Sequence, residues 1–183
     1  MNYRDRFLED PLAAGWTLDR VLSDKALAEV IALDRASFPR PWTPAMFLRA
    51  VRSPQEFHLY ELRRQEHAAL AGFLCCRFWP GTLQIATIAV RDDLRRQGLG
   101  AMLIRFALNE AARTGASEVT LDVRVSNLSA RRLYQRMGFM PIALHPRYYT
   151  KPLESGLTYV RAVVRAARPS RRKPAREVEV EST

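Results

Sequence analysis

The chain has 183 residues, with Lys+Arg 29 against Asp+Glu 19, a formal charge of +10, 48% hydrophobic residues and 26% charged ones. That length suits one domain of roughly 150 residues with modest extensions, and the apolar fraction excludes general disorder or any need for metal or disulfide staples. No apolar run approaches the roughly 20 residues of a membrane span, and the opening MNYRDRFLED has no apolar stretch of the kind a secretory signal carries.

The positive excess invites a nucleic-acid reading. Only Lys25, Lys151 and Lys173 are lysines, however, and such an arginine skew follows from a GC-rich coding sequence as readily as from a selected surface. Residues 161–183 carry a net +4 and residues 1–160 a net +6. The expectation is a mildly basic monomeric body, with nucleic acid reached only through the basic tail if at all, and no membrane contact. Cys75 and Cys76 are adjacent, so in a strand they point to opposite faces. They lack metal-ligand spacing and read as free thiols in a reducing cytoplasm.

In chain order, residues 1–14 read as a loose leader. Trp16–Leu22 alternates apolar and polar, as a strand does. Ser23 or Asp24 can cap a helix through Leu27, Val30, Ile31 and Leu33, which Phe38-Pro-Arg-Pro-Trp42 must break. Thr43-Pro44 then opens a short helix. Phe57–Leu62, Ala69–Trp79 and Thr82–Val90 read as three strands joined by short turns, hence an antiparallel meander. A polar loop, Arg91–Gln97, leads into a helix over Leu99–Thr114 closed by Gly115. Val119–Val125 is a strand, and Ser126 or Asn127 caps a helix that Gly138 can end. Phe139–Leu144 and Leu157–Val164 close the domain, giving 15–165 as one unit. Residues 166–183, charged and proline-punctuated, read as a disordered tail. The order β-α-α-β-β-β-α-β-α-β-β predicts an α+β fold, a mixed and mostly antiparallel sheet flanked by helices.

The sharpest local feature is Ile88-Ala-Val-Arg-Asp-Asp-Leu-Arg-Arg-Gln-Gly-Leu-Gly100. A strand runs into a loop whose glycines open a helix. Glycine lets backbone N–H groups approach a ligand, and a helix start offers unpaired donors and partial positive charge. Arg95 and Arg96 add formal charge, so the stretch is suited to a phosphate. It is neither a Walker loop nor a dinucleotide fingerprint, because no Gly-Lys-Ser/Thr and no third glycine follow.

RRQGLG resembles the Gln/Arg-x-x-Gly-x-Gly/Ala pattern of the GCN5-related N-acetyltransferases, and the flanking strand and helix match as well. Leu121-Asp-Val-Arg-Val-Ser-Asn127, Ala130-Arg-Arg-Leu-Tyr-Gln-Arg-Met-Gly-Phe139, Phe38-Pro-Arg-Pro-Trp42 and Arg147-Tyr-Tyr149 narrow the resemblance to the bacterial ribosomal-protein alanine N-acetyltransferases. It spans about residues 16–165. The resemblance implies acetyl-CoA as cosubstrate, no metal, and a protein or peptide N-terminus as acceptor. It implies two central strands that splay after a β-bulge and receive the pantetheine arm. Cofactor contacts would then come from Ile88, Ala89, Val90, Arg95, Arg96, Gln97, Gly98, Leu99, Gly100, Ala101 and Asn127. Asn127 can equally serve as a helix cap.

Direct transfer to an amine requires loss of the ammonium proton, polarisation of the thioester and protonation of the leaving thiolate. The resemblance assigns the last step to Tyr134. Asp122 stands where the resembling enzymes carry a glutamate base, roughly 1.5 Å shorter in reach. It can deprotonate the amine through a water, anchor the ammonium, or leave the base role to another group. Phe38, Trp42, Tyr148 and Tyr149 would wall a peptide groove, or simply pack. Thr87 offers no second carboxylate, and Arg147 departs from the asparagine expected beside the paired tyrosines. His58, His67 and His145 read as isolated surface residues. The competing readings are an enzyme acting on a small amine and a non-catalytic acyl-CoA-binding or RNA-associated module.

Overall fold

Local signals set most element ends. The computed structural model describes residues 15–163 except residue 66. The expected leader and the tail from 166 lie outside those residues. Strand β1 (Trp16–Arg20) precedes α1 (Asp24–Ser37), which Ser23 caps by accepting from the Ala26 N–H at 3.2 Å. Thr43 and Pro44 start α2 (Pro44–Arg52). Then come β2 (Phe57–Arg64), β3 (His67–Trp79), β4 (Thr82–Val90), α3 (Leu99–Thr114), β5 (Glu118–Arg124), α4 (Leu128–Arg136), β6 (Met140–Thr150) and β7 (Leu153–Ala162). Of the two candidate caps before α4, Asn127 is the one used, accepting from the Ala130 N–H at 3.1 Å.

The strands form one seven-stranded sheet in the order β1-β2-β3-β4-β5-β7-β6. Every pairing is antiparallel except β4 with β5. The closing strands differ from expectation. β6 runs on through Pro146 to Thr150, because it is the edge strand and a register shift between His145 and Tyr149 absorbs the proline. Arg147 takes φ +55 within that shift. This is the left-handed region that asparagine enters more readily than arginine, so the departure noted in the sequence falls on a strained backbone position.

The sheet buries both faces. One core, including Leu83, Ile85, Leu103, Ile104, Leu121 and Tyr159, lies with α3 and α4. The other, including Val30, Phe47, Phe73 and Cys75, lies under α1 and α2. β3 is accordingly buried continuously from Leu70 to Cys76. Cys75 and Cys76 are free thiols that fall into opposite cores, and burial pushes Cys75 up to about 12.

The feature that makes room for a ligand is in the middle of this sheet. Cys76 pairs with Ile85 and Cys75 with Thr87, so Ala86 bulges out of the β3–β4 ladder. The β4–β5 ladder ends at the same level, with Ile85 opposite Leu121. Beyond it the two parallel strands part.

Candidate active site

The splay gives the end of β4 a backbone edge. Past Ile85 the edge facing β5 has no ladder partner, so Ile88, Ala89 and Val90 can offer backbone groups to an extended ligand. The strand feeds a loop in which Arg96 and Gly98 take φ +63 and +86. Gly98 is the N-cap of α3, with no side-chain cap, and the first helical bond runs from the Met102 N–H to the Gly98 carbonyl. The N–H groups of Leu99, Gly100 and Ala101 therefore start the helix without intrahelical acceptors. Left-handed residues beside a bare helix start form an anion-binding concavity, and this cradle fits a pyrophosphate.

Individual residues sharpen the expectation. The Leu99 side chain is buried in the core, so only its backbone faces the cradle. A Cβ on Gly100 would lie 3.1 Å from Leu133 Cδ2, so a larger residue here would press on the α4 side chain that packs over the helix start. Arg95 is tied to Asp92 at 2.7 Å and to the Val90 carbonyl at 3.3 Å, while Arg96 and Gln97 stand exposed. Asn127 caps α4 through its Oδ1, which leaves its Nδ2–H donors for a ligand, so the two roles are compatible.

On the face of α1 and α2 a groove of about 390 Å³ runs down to the splay, lined by Trp42, Ala86, Asp122, Tyr148 and Tyr149 among others. Asp122 lies opposite in facing to the buried Leu121 and Val123, as its alternation predicts, one residue past the end of the β4–β5 ladder. Thr158, its cross-strand partner on β7, donates to Asp122 Oδ1 at 2.5 Å, and the Tyr148 hydroxyl donates to Oδ2 at 3.4 Å. His145 Nε2 sits 2.9 Å from Thr158 Oγ1. Thr158 spends its only proton on the carboxylate, so its oxygen accepts from His145 Nε2–H. Tyr134 is buried between the rings of Phe139 and Tyr159, each 6.1 Å away between centroids. Burial raises its phenol well above the ordinary value and keeps it protonated, with a further contribution from nearby Tyr149.

A bulge at the point where two parallel strands part, with a bare glycine-opened helix start beyond it, is the arrangement the family resemblance requires. The chain belongs to the acetyltransferase (GNAT) family. The profile of that family matches residues 27–139. A Bacillus subtilis protein, whose name provisionally assigns it as a [ribosomal protein bS18]-alanine N-acetyltransferase, is 32% identical over 130 residues, covering 70% of this chain and 83% of its own. The Mycobacterium tuberculosis N-alpha-acetyltransferase RimI is 34% identical over 113 residues, covering 60% of this chain and 68% of its own. In structure, the Escherichia coli ribosomal-protein-S18-alanine N-acetyltransferase superposes with a TM-score of 0.74 at 23% identity, over 83% of this chain and 96% of that one. The GNAT fold that the resemblance implied is the fold observed.

Within that family frame, several residues stand differently from the sequence reading. Trp42, Asp122, Tyr148 and Tyr149 do come together in the groove. Phe38 follows α1 as its C-cap and packs against the core under α1 and α2, the packing alternative left open by the sequence, and Trp42 packs against the same core while lining the groove. His145 is linked to Asp122 through Thr158, and His58 is hydrogen-bonded to Tyr60 at 3.0 Å, which donates to Glu110 at 2.9 Å. Neither is isolated. The His67 side chain lies outside the described residues.

Two residues outside the motifs of the sequence, Asp34 and Thr158, also bear on the site. Asp34 is almost fully buried at 1% exposure, and its carboxylate accepts from the Trp42 N–H at 2.7 Å and the Thr87 hydroxyl at 3.3 Å. Burial raises its pKa against those two bonds. A carboxylate thus does reach Thr87, from α1 rather than from β4. The spacing Leu27, Val30, Asp34 places this acid on the buried stripe of the helix, and that was a readable signal. Thr158 offers no such signal, being one threonine in an alternating strand.

Proposed function

We propose that the protein transfers the acetyl group of acetyl-CoA to the N-terminal amine of a protein, and that the acceptor is the N-terminal alanine of a ribosomal protein, as the names of its relatives describe for them. The observation that carries this reading is a peptide-sized, aromatic-walled groove ending at Asp122, where the cofactor strands part. When bound, acetyl-CoA supplies an activated thioester carbonyl. The rest is done by side chains of this chain. Asp122 accepts the ammonium proton, through a water where the shorter side chain falls short of the amine. Thr158 and Tyr148 each engage one of its carboxylate oxygens and so fix the plane of the carboxylate. Tyr134, protonated at neutral pH, donates its proton to the departing sulfur, although the burial that keeps it protonated also weakens it as an acid. The helix start and Arg96 hold the pyrophosphate, and Trp42 and Tyr149 flank the peptide.

The thiols of Cys75 and Cys76, free and buried, fit the reducing cytoplasm proposed for this enzyme. The test is acetylation by purified protein of short peptides varied at the first residue. CoA release with an alanine-initiated peptide is expected. Tyr134→Phe should lower kcat by about 10²-fold, within the range for loss of one general acid, while acetyl-CoA affinity stays nearly intact. Tight acetyl-CoA binding with no peptide acetylated would overturn the proposal.

A further inference from the structure

Beside Asp122, β6 carries more backbone than the strand it pairs with. His145 pairs with Gly156 and Tyr149 with Glu154, so Pro146, Arg147 and Tyr148 stand against Ser155 alone. The two surplus residues leave the ladder, and Arg147 turns the chain at φ +55. An arginine is strained in that left-handed region, and the strain is offset by what the turn achieves. It brings Tyr148 back over β7, where the side chain comes to rest on Gly156.

Gly156 is a glycine for the sake of this contact. A Cβ there would lie 2.9 Å from Tyr148 Cδ1, 3.1 Å from its Cγ and 3.2 Å from its Cβ. The φ of Gly156 lies outside the left-handed region, so the backbone conformation does not call for glycine. A glycine inside a strand otherwise weakens it, and it marks a place of close approach.

The Tyr148 ring is held at its sides as well. Tyr149 meets it edge-on at 5.0 Å between centroids, and the His145 ring lies 5.6 Å away. Tyr149 is itself covered by the Arg124 guanidinium, 4.1 Å from its centroid. Gly156 and Thr158 are two residues apart on β7 and share a face, and Thr158 pairs with Asp122. Asp122 is therefore two residues along and one strand across from Gly156, about 8 Å between backbones. The Tyr148 side chain spans that interval, with its ring on Gly156 and its hydroxyl 3.4 Å from Asp122 Oδ2. Tyr148 is half exposed, and it lines the groove.

We infer that Gly156 is a positioning residue for the acceptor step, acting through Tyr148. Its missing Cβ sets the depth at which the ring lies. That depth fixes both the width of the groove over Asp122 and the reach of the phenol hydroxyl to Oδ2. The inference rests on the groove being the acceptor site. A methyl group at position 156 must lift the ring by about 1 Å, since carbon atoms pack at about 3.5–4.0 Å. With β7 beneath the ring, the lift is into the groove.

The test is a double-mutant cycle on the full-length chain. Gly156→Ala is made in the wild-type background and in Tyr148→Ala, which has no ring to displace. The readings are kcat/KM from CoA release with an alanine-initiated peptide, the Kd of that peptide on the CoA-loaded protein, and the urea midpoint. In the wild-type background Gly156→Ala should lower kcat/KM about tenfold, mostly through KM, and weaken peptide binding to a similar degree. Acetyl-CoA affinity should stay within about twofold, and the urea midpoint should fall. In the Tyr148→Ala background the same substitution should change peptide Kd by less than about twofold. There it should raise the midpoint, because alanine at an unstrained position restricts the unfolded chain. Should Gly156→Ala fail to fold, recovery of folding in the double variant is the expected sign. Equal losses in both backgrounds, or unchanged peptide binding by Gly156→Ala, would overturn the inference. Equal losses with peptide acetylation intact in the wild type would sink the positioning role and keep the transferase. If the wild type acetylates no peptide, the transferase reading falls, and the reversal of the midpoint still decides whether Gly156 seats Tyr148.

Discussion

Thr158 decides how Asp122 presents its carboxylate. At 2.5 Å its hydroxyl is the closest donor to that group, and with its own oxygen turned to His145 it has one possible orientation. Thr158→Val removes the donor and keeps the shape. The hydrogen bond goes to a charged acceptor, and its loss is expected to lower kcat about tenfold with peptide KM and acetyl-CoA affinity little changed. Thr158→Ser should restore most of the rate. A fall in peptide affinity with kcat intact would instead make Thr158 a wall of the groove. No pattern in the sequence marks this residue, because its partner is 36 positions away and is set only by the β5–β7 register. Asp122, Tyr148 and Tyr149 were legible because short contiguous motifs carry them. Gly156 was not, since its part in the site depends on how β6 folds back over β7.

At the scale of elements, the helices were legible because each one announces its own ends. Ser23, Thr43 and Gly98 open α1, α2 and α3, and Gly115 closes α3 at φ +80. The antiparallel run β2-β3-β4 followed from its short turns. The insertion of β7 between β5 and β6 did not follow, because no local residue pattern encodes which of two late strands pairs with β5. The Ala86 bulge was expected only through the resemblance. One glycine shows how tightly that region is built. A Cβ on Gly72 would stand 2.8 Å from the Ala89 carbonyl oxygen and 3.5 Å from Val90 Cα. Backbone cannot yield as a flexible side chain can, so Gly72→Ala must push β4 away from β3 beside the cofactor edge. The expected cost is about 2 kcal/mol, measured by denaturant unfolding, with a raised KM for acetyl-CoA. A stability within about 0.5 kcal/mol of wild type would show that the strands separate without strain.

At the scale of the whole molecule, the sheet divides the labour. Its α3 side carries the bare helix start and buries Tyr134, and its α1–α2 side carries the groove proposed for the acceptor. Asp34 joins the elements of the second side, tying the end of α1 to Trp42 in the groove and to Thr87 beside the bulge. The sign of its contribution can be worked out. Burial raises the folded-state pKa of Asp34 above its unfolded value, so the folded state holds this proton more tightly than the unfolded one. Ionising Asp34 therefore costs stability, a cost fully present above the folded pKa and relieved as pH falls through it toward the unfolded value. Asp34→Asn does not titrate and serves as the reference. The Tm of wild type minus that of Asp34→Asn should become more positive on going from neutral pH to about the ordinary carboxylate range near 4. Glu110 and Glu154, held low by their arginine and backbone partners, contribute with the opposite sign, but they are common to both proteins and cancel in the difference. A difference that moves the other way would mean that the Trp42 and Thr87 hydrogen bonds outweigh burial. Asp34 would then be a favourably bound anion, and the groove loop would be held most firmly at neutral pH rather than in mild acid.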